Sequence, residues 1–195
     1  MNANEHFKEV KFNSGSSEIE LMNIAGDSIN ITNSSGDFKG EGITATRLEV
    51  ISTSGSSSLS HIKAEEMNLS SSSGEIEVEV ATGNITAESK SGGIELDQTT
   101  GIVNVKTSSG DITSEHHNGD GTFQTSSGTV NIEEQRANNL EILTSSGDVR
   151  VSEDPSFQGT YEVSTSSGDV SVPDSPRVTQ DKIIIKTSSG SINFY

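Results

Sequence analysis

One phrase, Thr-Ser-Ser-Gly, recurs at residues 107–110, 125–128, 144–147, 165–168 and 187–190. Weaker copies end at Gly36, Gly55, Gly74 and Gly92, and a tenth has Ser17 in the glycine place. From Ser17 onward the intervals are 19, 19, 19, 18, 18, 18, 19, 21 and 22 residues. A unit this short cannot bury its own apolar face. Stacking successive units into a solenoid solves that problem.

Columns inside the unit say what kind of solenoid. Five residues before the glycine stand Phe12, Ile31, Val50, Leu69, Ala87, Val105, Phe123, Ile142, Val163 and Ile185. Apolar residues also dominate seven before it, two after it and four after it, as in Val103, Ile112 and Leu96. A spacing of two marks strands with one face turned inward. The spacing predicts two short strands per unit, joined at the Ser-Gly corner, where glycine would supply φ > 0. Ser35–Gly36, Ser73–Gly74, Ser109–Gly110, Ser127–Gly128, Ser146–Gly147, Ser167–Gly168 and Ser189–Gly190 are such corners.

A second corner lies nine after the glycine, at Gly26, Ala45, Ala64, Gly83, Gly101, Gly119 and Ala137, all small. Ile24, Ile43 and Ile62 suggest a third inward column, and so a three-sided section, in the early coils only. Longer connections carrying Pro155, Pro173 and Pro176 read as loops leaving the barrel. The expected fold is all-β: a single-stranded, right-handed β-solenoid of about ten coils of 18–22 residues, forming one domain over 1–195. Residues 1–9 would be an N-terminal cap or a disordered lead. At roughly 4.8 Å per coil the rod is on the order of 45–50 Å long.

Composition then limits function. Only 29% of residues are hydrophobic and the net charge is −17, values that would suggest disorder without the repeat. Twelve basic residues against 29 acids argue against nucleic acid and anionic lipid as partners. With no cysteine there is neither a disulfide nor a thiolate site. The N-terminus has no apolar signal region, and no stretch is long and apolar enough to insert into a membrane. The expected location is the cell surface or another extracytoplasmic site if the native protein carries an anchor, and the cytoplasm otherwise.

Serine stands before the glycine place in all ten copies. Strand parity turns it inward with the threonines two residues earlier, giving a ladder of hydroxyls bonded to one another or to the turn. Ten like serines without a partnered histidine read as structure rather than as nucleophiles. Acids follow the glycine place at Glu18, Asp37, Glu75, Asp111, Asp148 and Asp169, where they would accept turn N–H groups. Asp148 and Asp169, on successive repeats, are the candidates for a shared cation; the stretch Glu65 to Asp97, with eight acids against Lys90, is another. His116 and His117 read as exposed polar residues at a corner. No residue is expected to be catalytic or to bind a cofactor.

The repeated Thr-Ser-Ser-Gly-Asp-[Val/Ile]-x-Val, seen at 144–151 and 165–172, resembles a bacterial adhesin-like family of β-strand-repeat domains of undefined function. The resemblance runs from about Val10 to Tyr195. It implies a single-stranded β-helix, exported or anchored at the cell envelope, and transfers no catalytic residue. The expected function is a non-enzymatic adhesin-like or scaffold module of the envelope, with a protein or glycan partner meeting its polar sides or its long loops. The alternatives are a carbohydrate-active β-helix enzyme and an intracellular polymerising scaffold. The chain stops on the strand Ser191–Tyr195, which lacks a cap and would allow end-to-end self-association.

Overall fold

The computed structural model describes residues 6–195. Its first half holds β1 (His6–Ser14), β2 (Ile19–Met22), β3 (Ala25–Asn33), β4 (Phe38–Glu41), β5 (Thr44–Ser52), β6 (Ser57–Ser71), β7 (Ile76–Ser89), β8 (Ile94–Thr100) and β9 (Val103–Thr107). The second half holds β10 (Ile112–Glu115), β11 (Gly121–Thr125), β12 (Val130–Glu133), β13 (Asn139–Thr144), β14 (Val149–Val151), β15 (Thr160–Ser167), β16 (Val170–Ser171), β17 (Lys182–Ser189) and β18 (Ile192–Phe194). All named pairings are parallel, each strand lying on its counterpart in the next coil. The chain is thus a β-solenoid of about ten coils. One wall carries the strand before each glycine and the other wall the strand after it.

The apolar columns pack inside as their spacing requires. Ile29, Leu48, Val103, Phe123, Ile132, Ile142 and Ile185 are all fully buried. Each such side chain contributes about 1.5–3 kcal/mol of transfer free energy. Where one column is bulky its neighbour gives way: Gly121 sits against Phe123, and Gly40 against Phe38. Strand β1 spans His6–Ser14, so residues 6–9 of the expected cap or disordered lead lie within a strand of the first coil. Residues 1–5 of the expected cap lie outside the described residues.

Three features of the corners differ from the expectation. First, the glycines at the Ser-Gly corner do not have φ between +20° and +160°, Gly168 excepted. They are glycines because the coils touch there. A Cβ on Gly55 would strike the Gly36 carbonyl, one on Gly110 the Gly92 carbonyl, and one on Gly128 the Gly110 carbonyl. Second, the serine before each glycine is exposed in all ten coils. The corner is not a strand, so alternation does not carry through it. The hydroxyl ladder belongs to the residue two earlier. Thr107 Oγ1 donates to the Gly92 carbonyl of the preceding coil at 3.2 Å and accepts from its own Gly110 N–H at 3.2 Å. Thr125 repeats both bonds with Gly110 and Gly128.

Third, the left-handed turn lies six residues after the glycine place, at Asn23, Gly42, His61, Val80, Gln98, His116 and Glu134. Val80, at φ 54°, is the misfit, since a β-branched side chain is strained in this region. Val80→Gly copies the residue that Gly42 already provides at the same place. It is expected to stabilise the protein by about 0.5–1 kcal/mol, a rise in melting temperature of about 2 °C. Thermal unfolding followed by circular dichroism checks this.

The second corner sets the coil length. Gly83, Gly101 and Gly119 have φ of 131°, 133° and 145°, and each stands in a coil of 18 residues. Coils with Gly26, Ala45, Ala64 or Ala137 at this corner need one residue more. The change falls at a register shift between Lys63 and Glu66, where β6 passes to β7.

The last two coils are not stacked in chain order. Strand β13 pairs with β17, and β17 pairs in turn with β15. On the other wall β14 pairs with β18, and β18 with β16. The tenth coil is therefore inserted between the eighth and the ninth. Segments 152–159 and 172–181 are the crossovers that allow it, which is why the last two intervals are long. Burial explains the choice. The tenth coil turns Ile183, Ile185, Ile192 and Phe194 inward, all buried, while Val170 and Val172 of the ninth are 44% and 41% exposed. The more apolar repeat takes the place covered on both sides. So the strand ending at Tyr195 is not an open end, and the expected free edge is carried by the ninth coil.

Candidate functional site

On the wall formed by the strands after the glycine, outward residues sit one, three and five places beyond it. In the four coils around Gly74, Gly92, Gly110 and Gly128, eight of these twelve positions are acids: Glu75, Glu77, Glu79, Glu95, Asp97, Asp111, Glu115 and Glu133. The other four are Gly93, Thr113, Thr129 and Asn131, so this patch holds no Lys or Arg. Parallel, in-register pairing lines them up. Glu79 lies beside Asp97, Asp97 beside Glu115, and Glu115 beside Glu133; Glu77 lies beside Glu95. Neighbouring strands are about 4.8 Å apart, so the carboxylates repel. Glu95 shows it: partial burial, then Glu77, Glu75, Glu115 and Asp97, raise its pKa. The opposite wall is mixed, with Asn68, Thr86, Asn104 and Thr122 at its centre.

The acidic wall ends at the left-handed corner. There His116 Nδ1 meets Asp97 Oδ1 at 3.0 Å and its Nε2 meets Glu134 Oε2 at 3.3 Å. The hydrogen bond to Asp97 leads in raising the His116 pKa; desolvation opposes it, and the charges of Glu134, Asp97 and Glu115 add to the rise. Burial works against the charged form of Asp97, but hydrogen bonds from Gln98 and His116 hold its carboxyl below the usual range. One ligand atom each from Asp97, Glu115 and His116 falls within 4.8 Å of the others. Among the described residues, these three side chains could together offer ligands to a divalent ion.

The expected cation pair is not formed. Ser191 of the inserted tenth coil lies between Asp148 and Asp169: Ser191 N–H donates to Asp148 Oδ1 at 2.9 Å, and Asp169 N–H donates to Ser191 Oγ at 3.4 Å. The two acids are therefore two coils apart, with Ser191 between them, and are not stacked on adjacent coils. Asp37 and Asp111 accept N–H groups of Ser56 and Thr129 at 2.9 and 2.7 Å, as turn acids should. The stretch Glu65 to Asp97 divides between corners and walls; Glu75, Glu77, Glu79, Glu95 and Asp97 join the acidic wall, and Glu65, Glu66 and Glu88 do not.

His117 departs most from the expectation, being only 1% exposed. It lies in the third inward column, which does not stop after Ile62 but continues as Ala81, Thr99, His117 and Gln135, all buried. The column turns polar rather than disappearing, so an apolar search loses it. The signal was positional: His117 stands seven places after Gly110, as Ile62 does after Gly55. Its Nδ1 meets Thr99 Oγ1 at 2.8 Å, and its Nε2 and Gln135 Nε2 have no partner in the structure. Burial is the main reason its pKa lies below the ordinary 6.5. A histidine kept neutral in the fold binds fewer protons there than when unfolded. Its contribution is therefore complete above about pH 6.5 and is lost as the pH falls from there to the folded-state value. This contribution lowers the melting temperature between pH 6.5 and 5.5, before most carboxylates titrate, while His116, whose pKa is raised, adds stability as it protonates and offsets part of the drop. Thr99→Val with His117→Ile, which removes both polar partners together, is expected to flatten that drop.

A parallel β-solenoid with one acidic wall and one wall of mixed polar and charged residues belongs to the β-strand-repeat class of proteins. The chain belongs to the Toastrack DUF4097 family, whose model matches residues 1–120 and again 85–195. The double match fits a domain made of repeats. The match establishes the family; an adhesive role is no part of it. No curated protein and no solved structure is matched.

Proposed function

We propose that this chain is a non-enzymatic interaction module of the bacterial cell envelope, a stiff rod that offers its acidic wall to a cationic segment of a protein partner. The in-register acids from Glu75 to Glu133 carry the reading. Holding like charges about 4.8 Å apart destabilises the fold, and a basic ligand relieves that repulsion. Rigid strands fix the spacing of the acids before the partner arrives, which lowers the ordering cost of binding. A glycosidase instead sets two carboxylates on either side of a cleft; here the acids lie side by side along one wall.

The test is a titration with a fluorescent lysine-rich peptide. Binding is expected to weaken steeply with salt and to be largely lost in the triple variant Glu77→Gln, Glu95→Gln, Glu115→Gln. Neutralising Glu49, Glu66 and Glu141, away from this patch, is expected to have little effect. Equal losses in the two triple variants would reduce the binding to net charge and sink the assignment. Protease shaving of intact cells tests the envelope placement: full protection of the native gene product would put it elsewhere.

A further inference from the structure

The two ends of the rod are built differently. At the C-terminal end the crossover 172–181 folds back over the ninth coil. Tyr161 N–H donates to Ser175 Oγ, Arg177 N–H to the Gly159 carbonyl, and Val178 N–H to the Gln158 carbonyl. Pro173 and Pro176 lie in this segment, and proline blocks strand pairing. Phe157, Tyr161 and Phe194 close the core beneath, with ring centroids 4.9 and 5.1 Å apart.

At the other end β1 pairs with β3 on one side, and nothing among the described residues pairs with its other side. Ser34 N–H donates to the Ser14 carbonyl. The alternation of a parallel ladder then turns the main-chain groups of Val10 and Phe12 into the rod and those of Glu9, Lys11 and Asn13 outward. The apolar columns are open here as well. Phe12 is 39% exposed, while Ile31, stacked on it, is 1% exposed.

We propose that this edge pairs with the same edge of a second copy, β1 antiparallel to β1, in a two-fold dimer centred on Val10. The sequence around that residue complements itself. With Val10 opposite Val10, Glu9 of each copy faces Lys11 of the other, giving two ion pairs. Glu9 and Lys11 already present their side chains together, 2.8 Å apart on the outer surface. Residues with outward main-chain groups meet one another in this register, so the hydrogen bonds close. Val10, Phe12 and Ile19 of the two copies join into one core. Such a contact uses the same patch on both copies and stops at two. Head-to-tail growth would need the edge of the ninth coil, whose start at residues 158–161 is bonded to the crossover 172–181.

Sedimentation of the full chain over a range of concentrations tests the proposal. A monomer–dimer equilibrium without larger species is expected. Lys11→Glu should raise the dissociation constant on the order of tenfold, since both ion pairs become repulsions. The charge swap Glu9→Lys with Lys11→Glu should restore it. A strict monomer, a dimer indifferent to Lys11→Glu, or a swap that fails to restore pairing would overturn the proposal. So would long oligomers.

Discussion

Gly110→Ala is expected to destabilise the protein by about 4 kcal/mol or more, while Ser109→Ala beside it changes stability by about 0.5 kcal/mol or less. Both residues belong to a phrase repeated along the chain, so repetition alone ranks them equally. Packing does not. The Ser109 side chain is in water. A Cβ on Gly110 would meet the Gly92 carbonyl, and it would also approach the Gly93 nitrogen to 2.9 Å. Both atoms are main chain and cannot rotate aside, so the coils must part and give up ladder hydrogen bonds. Overpacking of a flexible core costs about 1–3 kcal/mol; a clash between two backbones exceeds that. Denaturant unfolding of the two variants measures the difference. Equal, small losses would mean that the glycine column is only a turn preference.

Crosslinking reads the order of the last coils directly. The chain has no cysteine, so introduced pairs have no competitor. Glu141 lies beside Ile184 in the ladder, and Ile184 lies beside Glu162. Adjacent strands are about 4.8 Å apart, within the range of roughly 4.4–6.8 Å between the Cα atoms of a disulfide. Strands two coils apart are beyond it. Glu141→Cys with Ile184→Cys is expected to oxidise nearly completely, and Glu141→Cys with Glu162→Cys hardly at all. Stacking in chain order would give the reverse. The same insertion makes Ile185, in the last repeat, a central core residue: Ile185→Ala is expected to cost about 2–5 kcal/mol.

Much of this was legible in the sequence. Residues such as Ile31, Val105 and Ile142 alternate because a strand turns every second side chain to one face, and that rule is local. The repeat length followed from the same pattern, and the stacking followed from the inability of one coil to bury itself. The turn acids Asp37 and Asp111 behave as their position implies.

What stayed hidden depends on neighbours distant in the chain. Alternation carried through the corner turns Ser109 inward, but the corner is not a strand and the side chain lies in water. A turn position implies a dihedral role for Gly110, but its constraint, the Gly92 carbonyl, belongs to another coil. His117 reads as a solvent residue because the column it fills is marked elsewhere by isoleucine. The acids at 79, 97, 115 and 133 form a row only when four coils are in register. The coil, its inward columns and its corners can be read from the residues alone, since they follow from backbone geometry over a few positions. Which coil lies on which emerges only on folding, because similar repeats can pair in several orders. Total burial selects the order that keeps Ile183, Ile185, Ile192 and Phe194 covered on both sides.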